Sequence, residues 1–237
     1  MAEFKFVVVV PAFNEEASIS DVIRQSNQHA EVVVLNDCSS DKTVELANAA
    51  GAKVFSNKSN LGYEESVNLG VSIAFTTFNA DAVVVIDADG EHDPSTLRDF
   101  KSHFLMNDAD LVIGKRSGSK RLAEKVIGFL IKKKYGISDI FCGMKGYSKA
   151  LWNNRQGTTP GGQIGTDLCL AAARSNIKFF EVIVNGKPRE DKSRFGTTFG
   201  ASFRLLKVGM KQIFSERDRS LSLAYKGQIC EYRTKDL

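Results

Sequence analysis

The chain has 237 residues, of which 43% are hydrophobic and 25% are charged, a composition typical of a soluble globular protein. No apolar run approaches the roughly 18 to 20 residues that a membrane-spanning helix needs, and the pattern of the first ten residues predicts a strand rather than a cleavable leader. The four cysteines are scattered and no histidines cluster, which argues against a zinc site or a disulfide framework. We therefore expect a cytosolic protein.

The net charge of +4 conceals an acidic first half and a basic second half. Residues 1–118 carry 9 Lys and Arg against 18 Asp and Glu, whereas residues 119–237 carry 23 against 10. An acidic region suits cation binding, and a basic region suits phosphates or an anionic membrane surface. Nucleic acid is a weaker choice, because the basic residues are spread over helices and loops without a recognised binding motif.

Strands and helices alternate along the first 115 residues. Apolar runs predict strands at 5–10, 31–36, 53–56, 82–87 and 110–114. Amphipathic spacing and helix boundary signals predict helices at 16–27, 41–50, 62–76 and 94–105. This order predicts an α/β fold, in which a mostly parallel, Rossmann-like sheet is covered by helices on both faces.

The pattern is less regular beyond residue 118. Helices are predicted at 121–135, 166–176 and 199–214, and a strand at 179–184. The helices at 121–135 and 199–214 combine apolar residues with lysine and arginine. Such stripes usually pack in a core, but an exposed one can bind an anionic membrane surface peripherally.

Acidic side chains follow the apolar strand at 82–87. Asp87 and Asp89 project to the same side if the extended conformation persists, so that two hard oxygen ligands can share one divalent cation, with Glu91 as a third ligand. Open α/β sheets bind ligands outside the carboxyl ends of their strands, which is where this cluster falls. A solvated acidic turn is the simpler alternative. An EF-hand loop is excluded because Gly90 comes too early for its turn.

Two polar loops are expected at the same sheet edge. PAFNEE (11–16) follows the first strand and NDCSSDKT (36–43) follows the second. Asn14 and Asp41 can cap the next helices, whereas Glu15 and Asp37 can accept hydrogen bonds from a ribose or a base. No glycine-rich dinucleotide or P-loop motif is present, so phosphate binding would rely on a metal and basic residues.

Five motifs in register, PAFNEE, NDCSSDKT, NLGYEESVNLG, DADGEHDP and VIGKR, resemble the glycosyltransferases of family 2. The closest resemblance is to the branch that contains dolichyl-phosphate and polyprenyl-phosphate sugar synthases. It covers residues 5–116 closely and continues more loosely through FCGMKGYSK and REDKSRFG. The resemblance implies a GT-A fold, a UDP- or GDP-linked sugar donor and inversion at the anomeric carbon.

The resemblance also implies roles for individual residues. The nucleoside pocket would be lined by Pro11, Phe13, Glu15 and Asp37. Asp87 and Asp89 would hold Mg²⁺ or Mn²⁺ on the donor diphosphate, and Glu91 would complete the coordination. Arg116 would face phosphate, and Arg194 would belong to a late basic loop that closes over the substrates.

The sequence departs from the family pattern in two places. Asn36 replaces the first of two aspartates in the second loop, and Tyr63, Glu64 and Glu65 stand where relatives favour small or basic residues. The second departure bears on the choice of donor.

The acceptor determines whether a general base is needed. A phosphate monoester is already anionic near neutral pH, whereas a sugar hydroxyl benefits from a positioned carboxylate. Asp167 is the candidate base, although an acid at a helix start is also favoured by the helix dipole. We predict transfer to a polyprenyl or dolichyl phosphate, with a hydroxyl of a cell-envelope glycan or lipid-linked saccharide as the alternative acceptor.

Two other classes of protein fit the sequence less well. A nucleotidyltransferase is disfavoured because PAFNEE lacks a glycine-rich loop with a basic residue. A nucleotide-binding protein without transferase activity is the alternative of another class, and the Asp87 and Asp89 pair argues against it. We predict a single domain at 1–216, with a nucleotide-sugar and metal half at 1–118, an acceptor half at 119–216, and a tail at 217–237.

Overall fold

The computed structural model of the chain describes residues 3–106, 109–117, 122–155, 164–175 and 177–186. Its strands are β1 (Phe6–Ala12), β2 (Glu31–Asn36), β3 (Lys53–Ser56), β4 (Ala82–Val85), β5 (Leu111–Arg116), β6 (Lys145–Ser148) and β7 (Phe179–Val184). Its helices are α1 (Ile19–Ser26), α2 (Thr43–Ala49), α3 (Tyr63–Thr76), α4 (Leu97–Leu105), α5 (Leu122–Tyr135), α6 (Lys149–Asn154) and α7 (Ile164–Arg174). None of the helices within these residues is both long and apolar enough to cross a membrane.

The seven strands form one sheet in the order β3-β2-β1-β4-β6-β5-β7. Neighbouring strands run parallel except at β6, which is antiparallel to both β4 and β5. The strands other than β6 therefore share one direction, and their carboxyl ends meet at one edge. The predicted α/β class and mostly parallel sheet are confirmed.

The core lies on both faces of this sheet. On β1, Val7 and Val9 belong to the cluster on one face, and Val8 and Val10 belong to the cluster on the other. All four side chains are fully buried. Helices cover both faces, which is why the strands are continuous apolar runs rather than alternating polar and apolar residues.

Several predicted boundaries differ from the structure. The strand predicted to end at Asp87 ends at Val85, and the first helix begins at Ile19 rather than at residue 16. The helix predicted at 166–176 begins two residues earlier, at Ile164. The helix predicted at 94–105 opens with a 3-10 turn over Pro94–Thr96 before α4 begins. The helix predicted at 199–214 lies outside the described residues.

Two elements were not predicted at all, namely β6 and α6. β6 is the four-residue segment KGYS, too short to show an alternating pattern. A β-carbon at its Gly146 would come within 2.8 Å of the Phe104 ring and 3.0 Å of Val84, so the close packing of this strand requires glycine. A short polar segment that contains glycine does not have the composition of a central strand, so β6 could not be predicted from the sequence.

Candidate active site

The loops that follow β1 and β2 are hydrogen-bonded to each other at the carboxyl edge of the sheet. The Asn14 amide donates to Ser39 Oγ at 2.9 Å, and Asn14 Oδ1 accepts from the Ser40 amide at 2.8 Å. The Glu15 amide donates to Thr43 Oγ1 at 2.8 Å. Asn14 adopts a left-handed φ of 52°, which asparagine tolerates better than most residues. The two loops thus form one connected surface, and the Asn14 side chain serves this contact rather than capping α1.

Asp41 supports the same surface. Its carboxylate accepts hydrogen bonds from the amide and hydroxyl of Thr43, at the start of α2, and from the Glu16 amide. Partial burial acts to raise the pKa of Asp41, but these hydrogen bonds outweigh it and hold the pKa below the usual value. Its polarity is explained by this local structure.

The carboxylate of Asp37 holds the loop at 57–62. It accepts hydrogen bonds from the amides of Leu61 and Gly62, each at 2.8 Å, and from the Asn57 side chain at 2.9 Å. Asp37 is only 3% exposed. The structure therefore shows Asp37 fixing the loop that leads into α3, and a direct contact with a nucleoside stays a prediction.

The other residues predicted for the nucleoside pocket lie at the end of β1. Pro11 is buried within the strand, whereas Phe13 is exposed and Glu15 is half-buried. Leu61 and Tyr63, on the loop that Asp37 holds and at the start of α3, are also exposed. Apolar side chains are thus presented to solvent on both of these segments.

Asp87 stands two residues beyond the end of β4, with its carboxylate held from two sides. Tyr63 donates its hydroxyl to Asp87 Oδ1 at 2.7 Å. On the other side the carboxylate lies against Gly143, where a β-carbon would come within 2.2 Å of Oδ2. Although Tyr63 as a residue is 43% exposed, desolvation at its hydroxyl and the Asp87 charge raise its pKa, so the hydroxyl keeps its proton at neutral pH. The carboxylate is fixed, yet its side chain is 27% exposed.

Asp89 lies in a turn rather than in a continued strand. Its Oδ1 accepts from the Glu91 amide at 3.0 Å, and Gly90 adopts a φ of 76°. The buried Ala88 between the two aspartates anchors the turn, because its carbonyl accepts from Ser18 Oγ at 2.7 Å. The expectation that strand alternation would place Asp87 and Asp89 side by side is corrected, since the strand ends before both residues.

Within the described ranges, no three His, Cys, Asp or Glu side chains are arranged to hold a metal ion by themselves. Asp87 and Asp89 nevertheless supply hard oxygen donors of the kind that Mg²⁺ and Mn²⁺ take. The role of Glu91 as a third ligand stays a prediction.

His92 is a buried neighbour of the acidic cluster. Its Nδ1 lies 3.6 Å from Asp87 Oδ2, and its Nε2 lies 3.8 Å from Cys142 Sγ. Burial alone would lower the pKa of His92, but the Cys142 contact and the Asp87 charge raise it to about 9. His92 therefore adds positive charge beneath Asp87.

The guanidinium of Arg116 is bound by two carboxylates. Its Nε and Nη2 donate to Asp139 at 2.9 and 3.0 Å, and Nη2 also donates to Glu124 at 2.9 Å. Burial would lower the pKa of Arg116, but Asp139 and then Glu124 raise it further above its usual value. In the structure Arg116 faces these carboxylates, and its predicted contact with phosphate is untested.

Glu64 of α3, Lys145 of β6 and Asp167 of α7 form a group of charged side chains. Glu64 accepts a hydrogen bond from the Ile164 amide at 2.8 Å, at the start of α7. Burial raises the pKa of Glu64, and the negative charge of Asp167 raises it further. The hydrogen bond from the Ile164 amide and the positive charge of Lys145 act in the opposite direction but do not outweigh burial. Lys145 is 5% exposed and donates to the Cys142 carbonyl. Asp167, the predicted base, is half-buried in the first turn of α7 beside this group. Arg194 lies outside the described residues.

Comparison with known proteins identifies the family. Residues 7–152 match the model of "Glycosyl transferase family 2". The chain belongs to this family. It is therefore a glycosyltransferase, as the sequence motifs predicted, although the matches do not single out one branch of the family.

Two relatives and one solved structure extend the comparison of this glycosyltransferase. An uncharacterised protein of Methanocaldococcus jannaschii, MJ1222, is 25% identical over 87% of this chain and 92% of its own length. An undecaprenyl-phosphate 4-deoxy-4-formamido-L-arabinose transferase of Shewanella sediminis is 24% identical over 60% of this chain and 47% of its own length. Glucosyl-3-phosphoglycerate synthase from Mycobacterium tuberculosis, crystallised with Mn²⁺, UDP and glucosyl-3-phosphoglycerate, matches with a TM-score of 0.69 at 21% identity. That match covers 94% of this chain and 82% of the other, and it confirms the GT-A fold.

The fold of this glycosyltransferase brings to the site several residues whose contacts there were not predicted from the sequence. Tyr63 donates a hydrogen bond to Asp87 and Gly143 lies against it, and the charges of Lys145 and Asp167 both act on Glu64. The departure at Tyr63 and Glu64 from the family pattern was the available signal. Nothing in the sequence indicated Gly143 or Lys145, because Asp87 and Glu64, the site residues that they affect, are distant along the chain.

Proposed function

We propose that this glycosyltransferase moves a sugar from a UDP- or GDP-linked donor to a polyprenyl or dolichyl phosphate, with a divalent cation and with inversion at the anomeric carbon. The observation that carries the proposal is the fixed carboxylate of Asp87, next to the Asp89 turn, at the edge where β1, β2 and β4 end. Ligands bind at this edge of open α/β sheets.

The carboxylates of Asp87 and Asp89 would hold Mg²⁺ or Mn²⁺. Two protein carboxylates are fewer ligands than either ion usually takes, so oxygens of the donor diphosphate would supply further ligands of the same hard type. When bound, the cation supplies neutralisation of the charge that develops on the diphosphate leaving group. The solved structure of similar fold contains Mn²⁺ together with UDP, which supports this assignment.

The loops at the ends of β1 and β2 would bind the nucleoside. Phe13 would offer its exposed ring and the half-buried Glu15 its carboxylate, next to Pro11 near the end of β1. Asp37 would contribute by holding the 57–62 loop in place, since its carboxylate already binds protein donors. A phosphate contact from Arg116 would add to its bonds with Asp139 and Glu124, and a role for Arg194 is proposed from the sequence motif alone.

A lipid phosphate is the acceptor that the observations favour. Its phosphate oxygen is anionic near neutral pH and attacks without a general base. A relative in the same family is an undecaprenyl-phosphate sugar transferase, which supports an acceptor of this class. With a hydroxyl acceptor, Asp167 would take the proton.

Contact with a membrane surface follows from this acceptor. A polyprenyl chain resides in a bilayer, so the enzyme would meet it at the cytoplasmic face by peripheral binding. The basic second half of the chain suits an anionic surface.

The first test is a donor and acceptor panel. The protein would be incubated with UDP- and GDP-linked sugars and Mn²⁺, with or without a short polyprenyl phosphate, and the released nucleoside diphosphate measured. We expect release that depends on the lipid phosphate. Release that instead requires a saccharide or a small phosphorylated acceptor would refute the lipid assignment, and no release with any pair would contradict transferase activity.

The second test addresses the metal ligands. Asp89→Ala should lose Mn²⁺-dependent nucleotide binding in calorimetry while keeping its circular dichroism spectrum. Asp99→Ala removes an exposed aspartate from α4 and serves as the matched control. Unchanged binding by the Asp89 variant would refute the metal assignment.

A further inference from the structure

We infer that one face of α5 docks the protein on an anionic lipid bilayer. This α5 face consists of Lys125, Val126, Phe129, Lys132 and Lys133. The biological role of this docking rests on the proposed function, because the α5 face would be the surface through which the enzyme reaches a lipid-phosphate acceptor. The binding itself can be tested without any sugar transfer.

The α5 face is exposed, whereas the opposite side of the helix is buried. Its members recur every three or four residues and therefore lie on one side of the helix. Phe129 is 67% exposed and Val126 is 50% exposed. Ile127 and Ile131, on the other side, are buried in the core cluster of one sheet face. The core therefore accounts for one apolar side of α5, and the second apolar patch faces solvent.

The charge of the α5 face is positive throughout. Lys125 precedes the apolar pair, and Lys132 and Lys133 follow it one turn later. The single acid of α5, Glu124, is 12% exposed and turns inward to bind Arg116 at 2.9 Å. An apolar centre between lysines, without acidic side chains, is the composition of a helix that lies in a membrane interface. Each lysine adds attraction to an anionic lipid surface.

The position of α5 brings such a membrane close to the candidate active site. Because β4 and β5 are each antiparallel to β6, they run in the same direction and end at the same edge. Arg116 ends β5 at this edge, and its bond to Glu124 fixes the first turn of α5 beside it. Docking through the α5 face would therefore set the bilayer against the side of the sheet that α5 covers, with the first turn of α5 at the edge that carries Asp87.

A protein partner fits the α5 face less well. Lysine is depleted at protein interfaces, and the buried centre of an interface contains few charged residues. Here three lysines surround two apolar side chains. A second copy of the chain would also bring lysines of the same charge together, which disfavours pairing.

The test is co-sedimentation with vesicles of phosphatidylcholine and phosphatidylglycerol at low salt. The face variant replaces Val126 and Phe129 with serine, and the charge variant replaces Lys132 and Lys133 with glutamine. The matched control, Leu105→Ser with Met106→Ser, removes two exposed apolar side chains at the end of α4. We expect the face variant to bind at least about tenfold more weakly and each lost lysine to weaken binding roughly fivefold, while the control binds as wild type.

Several outcomes would overturn the inference. These are wild-type protein that stays in solution, a face variant that sediments as wild type, or a control that loses binding equally. A wild-type dimer that becomes monomeric in the face variant would assign the surface to a second copy instead. Circular dichroism of each variant establishes that it is folded.

A transfer assay separates this inference from the proposed function. The face variant should keep transfer to a short polyprenyl phosphate in detergent and lose transfer to a long one in vesicles. Equal loss on both acceptors would contradict a docking role. Wild-type protein that binds vesicles but releases no nucleoside diphosphate would leave the surface supported and refute the lipid acceptor.

Discussion

Replacing Gly143 with alanine tests the metal assignment through a single methyl group. Gly143 contributes no atoms to the proposed metal site, yet a β-carbon there would lie 2.2 Å from Asp87 Oδ2 and 2.8 Å from Asp87 Cγ. Its φ lies outside the left-handed region, so alanine is compatible with the backbone itself. The substitution therefore acts on Asp87 and leaves the local chain conformation available.

The size of the effect follows from the distances. The 2.2 Å separation is about 1.2 Å shorter than the 3.4 Å at which ordinary van der Waals contact begins. A functional side chain must stay within roughly 0.5 Å of its productive position, so the displaced carboxylate no longer serves the cation. Moving away from residue 143 also strains the bond that Tyr63 donates. We expect at least about tenfold weaker Mn²⁺-dependent nucleotide binding, equivalent to about 1.4 kcal/mol.

The assay is a titration with Mn²⁺ followed by electron paramagnetic resonance, with and without UDP or GDP. Gly165→Ala is the matched control, since its β-carbon would come no closer than 3.3 Å to the flexible Lys145 side chain and 3.4 Å to the Tyr147 hydroxyl. Circular dichroism and the melting temperature establish that both variants fold. A Gly143→Ala variant that binds Mn²⁺ and nucleotide as tightly as wild type would show that Asp87 does not hold the cation in this conformation.

Three further substitutions test other parts of the structure. Tyr63→Phe should weaken Mn²⁺ affinity by about tenfold in the same titration, because it removes a hydrogen bond that orients Asp87. The melting temperature should stay close to that of wild type, and an unchanged Mn²⁺ affinity would contradict this role of Tyr63. Asp139→Asn should lower the free energy of unfolding in urea by about 2 to 3 kcal/mol, since it leaves the guanidinium of Arg116 without its buried partner; a loss below about 1 kcal/mol would show that solvent replaces the pair. Gly128→Ala should raise the same free energy by up to about 1 kcal/mol, because the nearest atom outside the helix lies 4.0 Å away; destabilisation would refute an open position.

The strands that build the sheet edge were predictable because each is buried on both faces. Val7 to Val10 in β1 and the matching run in β2 contain no polar residue. A continuous apolar run of this kind predicts burial on both faces, and the structure shows that burial. Polar loops after such strands must meet at one edge, whatever the details of the loops. This geometry is why the region of Asp87 was predictable while its detailed conformation was not.

Contacts that depend on distant residues were not predictable. Tyr63 meets Asp87 across 24 positions, and Arg116 meets Asp139 across 23. The sequence pattern of a charged residue is the same whether it faces a substrate or a buried partner. The resemblance to family 2 predicts that Arg116 faces phosphate, and only the structure shows that Asp139 binds its guanidinium in a bidentate manner.

The unpredicted strand β6 explains how the two halves of the chain share one site. β6 lies between β4 and β5, so the segment that leads into it must pass beneath the end of β4. That passage places Gly143 against Asp87 and buries Lys145. In the other direction, α3 from the first half supplies Glu64 to the start of α7.

Each half therefore contributes to the other's part of the site. A change on the acceptor side, at Gly143, is expected to alter the metal position. A change on the donor side, at Glu64, is expected to release the amide of Ile164 and shift the first turn of α7, which carries Asp167. We therefore expect donor binding and acceptor binding to be coupled, because the contacts of Gly143 with Asp87 and of Glu64 with Ile164 join residues on both sides of position 118.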